Sequence, residues 1–409
     1  MADQPAEERF RAEALAFLSA HARPRPEPGR RWGQGSDRVW LFVEGTPEQE
    51  RALVEEARRW RQRLFDAGFG WITGPLRYGG RGLPLSYERI YRCAEAGFET
   101  PSALPFGVGL GVVAPAILAH GTDPVKDAYL GPMHRGDVIG CQLFSEPGAG
   151  SDLASVETRA VRHGDQWSIT GRKMWTSGAH FSDIGEILCR TDPAAPKHRG
   201  ITAFVVDMSA PGVRVRPLRQ MTGGASINEV VLEEVPVPDD HRLGEVNDGW
   251  RVAVSTVVSE RRVIGGGAAA ASVHRLVELL RWLGKDDDPV LRQRLADVHV
   301  HDAVAGYTKL RAMAEREAGR EPGAETSIAK LALTDNLGRV SEFLTEALGP
   351  RLTADTGEWG TFAWAELVLG APGLRIAGGT DEVQKNVIAE RVLGLPREAR
   401  PESPPFSGP

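Results

Sequence analysis

Cysteine is scarce in this chain. There are three in 409 residues, Cys93, Cys141 and Cys189, and none has a Cys-x-x-Cys partner. That argues against a disulfide framework and against a cysteine metal site, and it fits a reducing compartment, so a cytoplasmic location is expected. Long apolar runs are missing too: no stretch approaches the eighteen or so residues of a membrane span. The N-terminal MADQPAEERF is acidic and helix-like, unlike a secretory signal or an acid-poor transit peptide. No long basic block exists and the formal net charge is −6, so nucleic acid and anionic membrane are poor partners. The arginine-rich HARPRPEPGRR (21–31) reads as a solvated loop. A dinucleotide fingerprint is also absent. GVGLGVV (107–113) has the wrong glycine spacing and no strand before it. There is no internal repeat.

What remains is ordinary globular composition, 41% hydrophobic and 25% charged, with length for two or three domains and a large core. Residues 1–137 read as helical with loops. TPEQERALVEEARRWRQRLFDAG (46–68) opens on Thr-Pro, closes on Gly68, and repeats Leu53, Ala57, Trp60 and Leu64 at helical spacing. At about Asp137 the character changes. DVIGCQLF, GDQWSITG, GEILCRTD, GITAFVVDM, VRVRPLRQM and INEVVLEEVPVP follow one another with turn residues between them. Residues 138–244 are therefore expected to form an antiparallel β domain. Helical patterning returns for 245–395, and Thr380 looks like the N-cap of the last helix. The proline-rich tail 396–409 is expected to be disordered.

Three loops could hold a ligand. In FSEPGAGSD (144–152), Gly148 and Gly150 let backbone N–H groups approach a ligand, while Ser145 and Ser151 add hydroxyls. A decorated hairpin loop explains it equally well on local chemistry. In GRKMWTSGA (171–179), Trp175 followed by two hydroxyls could stack on a flat ring and bond its edge, or Trp175 could be a core residue. IAGGTDEV (376–383) leads two glycines into a helix N-terminus, whose N–H groups favour a polar ligand, although Asp381 and Glu382 can satisfy that end themselves. A fourth stretch raises a question. TVVSERRVIGGGAAAAS (256–272) carries Glu260–Arg261 just before three glycines, which cost roughly 3 kcal/mol if helical.

Taken in order, CQLFSEPGAGSDLAS, WSITGRKMWTSGAHFSD, INEVVLEEVPVP, SERRVIGGG and GGTDEVQKNVIAERVLGLP resemble the acyl-CoA dehydrogenase family, from about residue 5 to 396. The resemblance implies an α+β fold: a helical N-terminal domain, a middle β-barrel domain and a C-terminal four-helix bundle. It implies FAD, an acyl-CoA substrate, and an electron-transfer flavoprotein as acceptor. A glutamate takes the α-proton while the β-hydride goes to flavin N5. By motif match, Gln142, Phe144, Ser145, Gly150 and Ser151 would form the first flavin loop. Trp175, Thr176 and Ser177 would form the second, with Trp175 over the ring and Ser177 toward N5. Thr380, Asp381 and Glu382 would lie by the FAD at the last helix. Ser151, Arg261 and Gly379 would lie by the acyl-CoA.

Many relatives place the catalytic glutamate just before the Gly-Thr of the last loop. Gly378 stands there in this chain. Another branch carries the base on the first helix of the bundle, in an acid–Arg pair ahead of small residues, and Glu260–Arg261 matches it. An exposed helix glutamate paired with arginine is the plain alternative. The small-residue surface Gly265–Ala271 would then let an acyl chain or a neighbouring helix lie close to the backbone. Two family elements are missing. Relatives carry Arg-x-x-Phe-Gly where this chain has RWLGKDDDPVLRQ (281–293), and Gln-x-x-Gly-Gly-x-Gly where it has EALGPRLTADTGEWGTF (346–362). Both reach the neighbour's FAD across the dimer. A homodimer or homotetramer is expected, with a heteromer containing a related chain as the other possibility. A flavin oxidase or monooxygenase, or a non-catalytic partner subunit, are the alternative functions.

Overall fold

The computed structural model describes residues 4–25, 45–266, 272–320, 323–324 and 326–397, with Trp32–Gln34, Ser36, Asp37, Val39 and Leu41 between the first two segments. Residues 26–31 of the arginine-rich segment, residues 267–271 of the small-residue stretch, and the tail from 398 lie outside the described residues.

The first region is helical: α1 (Gln4–His21), α2 (Pro47–Asp66), α3 (Leu85–Glu95), α4 (Ala114–His120) and α5 (Asp123–Arg135). A short pair, β1 (Arg23–Pro24) with β2 (Phe98–Glu99), joins its ends. α2 starts where its sequence signals it. Thr46 accepts from the Gln49 N–H, the Gln49 side chain bonds back to the Thr46 N–H, and Pro47 opens the helix. Val54, Ala57, Trp60 and Leu64 are its buried face. GVGLGVV is neither a strand nor a phosphate loop. Gly109–Val113 is a π-helical turn leading into α4. A Cβ on Gly109 would sit 2.9 Å from the Gly140 nitrogen, so this glycine lets the turn pack against the start of the sheet.

The sheet comprises β3 (Gly140–Leu143), β4 (Arg159–His163), β5 (Gln166–Ser177), β6 (Ile184–Arg190), β7 (Ile201–Asp207), β8 (Val213–Leu218), β9 (Ile227–Pro238) and β10 (Arg242–Leu243). Its order is β10-β7-β6-β4-β5-β9-β8, with β3 also paired to β6. Most pairings are antiparallel, but β3 runs parallel to β6, and β4 meets β6 in parallel at Arg159 and Arg190. The expectation of a purely antiparallel domain is corrected on this point. The chain between β3 and β6 is long enough for the crossover that a parallel pair requires. β6 accordingly reads as a near-continuous buried run rather than an alternating one. Glu186 stands in the middle of that run.

The third region holds α6 (Gly249–Gly266), α7 (Val273–Trp282), α8 (Pro289–Glu317), α9 (Thr326–Leu348), α10 (Trp364–Ile376) and α11 (Asp381–Val387). α9 is central and packs on α6, α8, α10 and α11. α6 also packs on α4, the π turn and β7, so it touches all three regions. One of the three aspartates of KDDD has a local use: Asp288 accepts from the N–H groups of Val290 and Leu291 and caps α8, at 2.8 and 3.1 Å. Lys285 donates to the Ala347 carbonyl at 2.7 Å and ties this turn to α9. The segment around 32–41 packs into the third region rather than the first. Trp32 stacks on Trp282 and meets the edge of Trp359, Asp37 accepts from Gly360 N–H and, through its carbonyl, from Arg275, and Val39 joins the bundle core. Among the described residues no helix is long and apolar enough to cross a membrane.

Candidate active site

The two sheet-borne loops are locked to each other. Met174 N–H donates to the Ser145 carbonyl at 2.8 Å. Beneath them Lys173 is fully buried and spends all three ammonium protons: on Glu146 Oε1 at 2.7 Å, Leu188 O at 2.7 Å and Phe144 O at 3.0 Å. Glu146 also accepts from the N–H groups of Glu157 and Thr158. Burial alone would raise its pKa, but the Lys173 charge and these hydrogen bonds outweigh it and hold the carboxyl low. Glu146 and Lys173 lie inside both loop motifs, yet nothing in their local pattern says that they meet.

Trp175 is not a core residue. It is 63% exposed and has a φ of +64°, in the left-handed region that costs a bulky residue of order 1–3 kcal/mol. The β5–β9 pairing shifts register between Lys173 and Thr176, a bulge that turns Trp175 outward. Asn228 on β9 donates to the Thr176 carbonyl at 3.0 Å and fixes the far side. The Thr176 hydroxyl is buried without a partner, while Ser177 is exposed and Ser145 half-buried. Phe144 is buried. Gly148 and Gly150 have open space where a side chain would project, and Gly150 and Ser151 are exposed.

Glu260 is half-buried on α6. The Gln142 amide donates to its Oε2 in a long contact of 3.4 Å. Burial raises the Glu260 pKa; Gln142, the backbone amide of Gly378, Arg261 and Lys330 act the other way without cancelling the shift. Glu260 and Gly378 are thus neighbours in space although far apart in sequence. Arg261 belongs to the same corner. Its guanidinium lies 3.9 Å from where a Gly379 Cβ would be, and its Nε is buried without a partner. Gly378 and Gly379 both have positive φ, +65° and +85°. The buried Gln384 donates to their carbonyls at 2.8 and 3.2 Å, and a Cβ at 379 would meet the Gln384 amide at 2.7 Å.

At the start of α11, Thr380 caps the helix by accepting from Val383 N–H, and Glu382 is exposed. Asp381 carries bonds that its motif does not announce. It is buried and accepts from Lys330 at 2.7 Å, Thr334 at 2.9 Å and Arg375 at 2.9 Å. Its carboxylate braces α11 against α9. The physical reason is desolvation: a buried carboxylate at this depth needs cations, and α9 and α10 supply them. Lys330, Thr334 and Gln384 are the contributors that the sequence pattern did not expose; each sits in a plain helical stretch.

The three regions of the chain each match known protein domains. The acyl-CoA dehydrogenase N-terminal, middle and C-terminal domains match residues 36–137, 141–235 and 247–393. Acyl-CoA dehydrogenase IpdE1 of Mycobacterium tuberculosis is 38% identical over 368 residues, 87% of this chain and 92% of its own. Acyl-CoA dehydrogenase FadE34 of the same organism is 44% identical over 85% of this chain, which spans 47% of that longer relative. Among solved structures, the Tcur3481-Tcur3483 steroid ACAD aligns with a TM-score of 0.75 at 28% identity, covering 96% of this chain and 98% of that one. A chain of the ChsE4-ChsE5 complex from Mycobacterium tuberculosis aligns with a TM-score of 0.72 at 28% identity, covering 97% and 100%. With its three regions each matched in order, the chain belongs to the acyl-CoA dehydrogenase family of FAD-dependent oxidoreductases.

Proposed function

We propose that this protein binds FAD and converts an acyl-CoA thioester to its trans-2-enoyl-CoA, with Glu260 as the base. The observation that carries the reading is the Glu260 carboxyl, raised in pKa by burial and set against the side-chain-free Gly378–Gly379 turn. A C–H α to a thioester is a weak acid, so its base must be positioned and must hold a proton well in a dry corner. Glu260 meets both needs, and Gln142 orients it.

The residues fit a flavin. An exposed tryptophan held in a strained backbone conformation offers a stacking face, and the orphaned Thr176 hydroxyl offers an edge contact. Ser145, Gly150, Ser151, Ser177, Thr380 and Glu382 complete the surround, and Asp381 acts through the helix it braces. When bound, FAD supplies the acceptor for the β-hydride. Arg261, Ser151 and Gly379 are assigned to the acyl-CoA side. The likeness to a steroid enzyme leads us to infer a steroid-type acyl group, and the acceptor we infer is an electron-transfer flavoprotein. The assembly we infer is a homodimer or homotetramer, because one chain carries the base and both sheet loops. Exposed Val300, Val304, Tyr307 and Leu310 on α8 give a second copy apolar surface to cover.

Purified protein should be yellow and carry one FAD per chain in a defined oligomer, and a matching acyl-CoA should bleach the flavin under anaerobic conditions. A colourless protein that takes up no FAD on titration defeats the proposal. Fast reoxidation of the bleached enzyme by air would favour an oxidase. FAD uptake only after co-expression with a related chain would favour a heteromer.

A further inference from the structure

Behind Glu260 lies a second acid that the reaction as described does not use. Glu186 is completely buried in the middle of β6. Its parallel register partner on β3 is Gln142, the residue that reaches Glu260. Parallel register partners project from the same face of a sheet, here the face that carries α6. On α6, Thr256 and Glu260 are one helical turn apart and so lie on one side of the helix. Thr256 donates to Glu186 Oε1 at 2.7 Å. The four residues form a ladder with two rungs, Gln142 to Glu260 and Thr256 to Glu186. The remaining oxygen, Glu186 Oε2, is buried and has no partner.

The groups facing this ladder decide its charge. On β7 the register partner of Glu186 is Val205, which is apolar. β3 contributes the neutral amide of Gln142, and α6 contributes a hydroxyl and the Glu260 carboxyl. The positive charges that act on Glu260 are Arg261 on its own helix and Lys330 on α9, and Lys330 is already bonded to Asp381. None of them is bonded to Glu186. A carboxylate there would be a second buried negative charge with one hydroxyl for support, which is a costly state.

Resting on the reading of Glu260 as the base, we propose that Glu186 is a positioning residue that stays protonated while Glu260 is ionised, so that the two acids share one negative charge across the ladder and Glu186 governs how strongly Glu260 holds its proton. Burial, with a contribution from Glu260, pushes Glu186 up to about 8, while Thr256 pulls it down. The two acids therefore titrate as a coupled pair with two apparent steps, the upper one being mainly ionisation of Glu186.

The test is an infrared pH titration of the protonated-carboxyl C=O band in the purified holoenzyme, run beside stopped-flow flavin reduction by an acyl-CoA. Wild type should keep a carboxylic-acid band above pH 7 and lose it near the upper step. Glu186→Gln should abolish that band and the upper inflection of the rate profile. Glu260→Gln should shift the Glu186 band to lower pH. Thr256→Val, which changes no charge, should move the upper step to higher pH, and it decides the matter if Glu186→Gln fails to fold. A band and profile unaltered in Glu186→Gln, or an upper step unmoved in Thr256→Val, overturns the inference. If the band behaves as described while Glu260→Gln still reduces flavin at the wild-type rate, the coupling stands and the base assignment alone fails.

Discussion

Among the described residues, two buried lysine–carboxylate pairs contrast with two carboxyls, one buried and one half-buried, that have no bonded cation. Lys173–Glu146 sits in the sheet and ties the loop after β3 to the end of β5. Lys330–Asp381 sits in the bundle and ties α11 to α9. Their carboxyls are both held below the ordinary range, because charge and hydrogen bonds outweigh burial. Glu260 and Glu186 lie between these braces, and burial wins at both, raising them. The difference is in keeping with the roles proposed for these acids. A carboxylate that only supports a loop is best kept ionised and bonded, whereas one that must accept a proton is best left short of partners.

The largest effect expected from breaking this contrast is at Glu260. Glu260→Gln should retain FAD and bind acyl-CoA but slow flavin reduction by at least the roughly 10²–10⁴-fold that a general base contributes, measured in a single anaerobic turnover. Retention of more than a tenth of the rate would remove Glu260 from the role. In the unaltered enzyme the rate should fall as pH drops through a value above the usual carboxylate range, since the base must be ionised to act.

Next come the braces. Lys173→Met strands a buried carboxylate and should cost about 3–5 kcal/mol in denaturant unfolding, and Lys330→Met a similar amount. The two should differ in what they damage first: Lys173→Met should weaken flavin retention, and Lys330→Met should loosen the turn at 378–380. Equal, small losses in both would mean that the pairs are not the braces described.

The pH dependence of stability has opposite signs for the two kinds of acid. Glu186 titrates near 4.5 when unfolded and is pushed to about 8 when folded, so its contribution is full below 4.5 and is lost as pH rises toward 8. Glu146 and Asp381 have lowered values, so theirs is present above the unfolded pKa and lost as pH falls through the folded one. Glu186→Gln should therefore flatten the decline between pH 5 and 8 while leaving the acid limb unchanged, as read from urea midpoints across that range. The smallest effect is at the cap of α11. Thr380→Ala removes the bond to Val383 N–H and should cost about 1 kcal/mol, detectable as a small shift in thermal midpoint.

Much of this was legible from residue order alone. The Thr46–Pro47 helix start, the β-rich stretch from 138, and the cap at Thr380 are local signals, and local signals survive in a sequence. So did the proximity of Glu260 to the last loop, though only through the pattern of a missing acid at Gly378. What stayed hidden depended on pairs far apart in the chain. Glu146 and Lys173 look like loop decoration until the sheet brings them together, and Lys330 and Thr334 look like ordinary positions of a long helix. The bonds of Asp381 to Lys330, Thr334 and Arg375 were hidden as well, because its motif shows only a helix N-terminus and tertiary packing supplies the partners. The parallel pairing of β3 with β6 was missed because strand patterning does not encode direction.

The clasp between the segment around 32–41 and the bundle bears on timing. Asp37 meets Arg275 and Gly360 across 238 and 323 residues of chain. On a ribosome the tryptophan and valine of that segment emerge early, yet Trp282, Trp359 and Trp364, the ring wall they need, emerge much later. Contacts of such separation must close a very long loop before they return any free energy, so they belong to the slow end of folding. The N-terminal helices and the sheet can be complete while Trp32 and Val39 still wait in solvent. Their docking therefore waits for α7 and for the turn before α10.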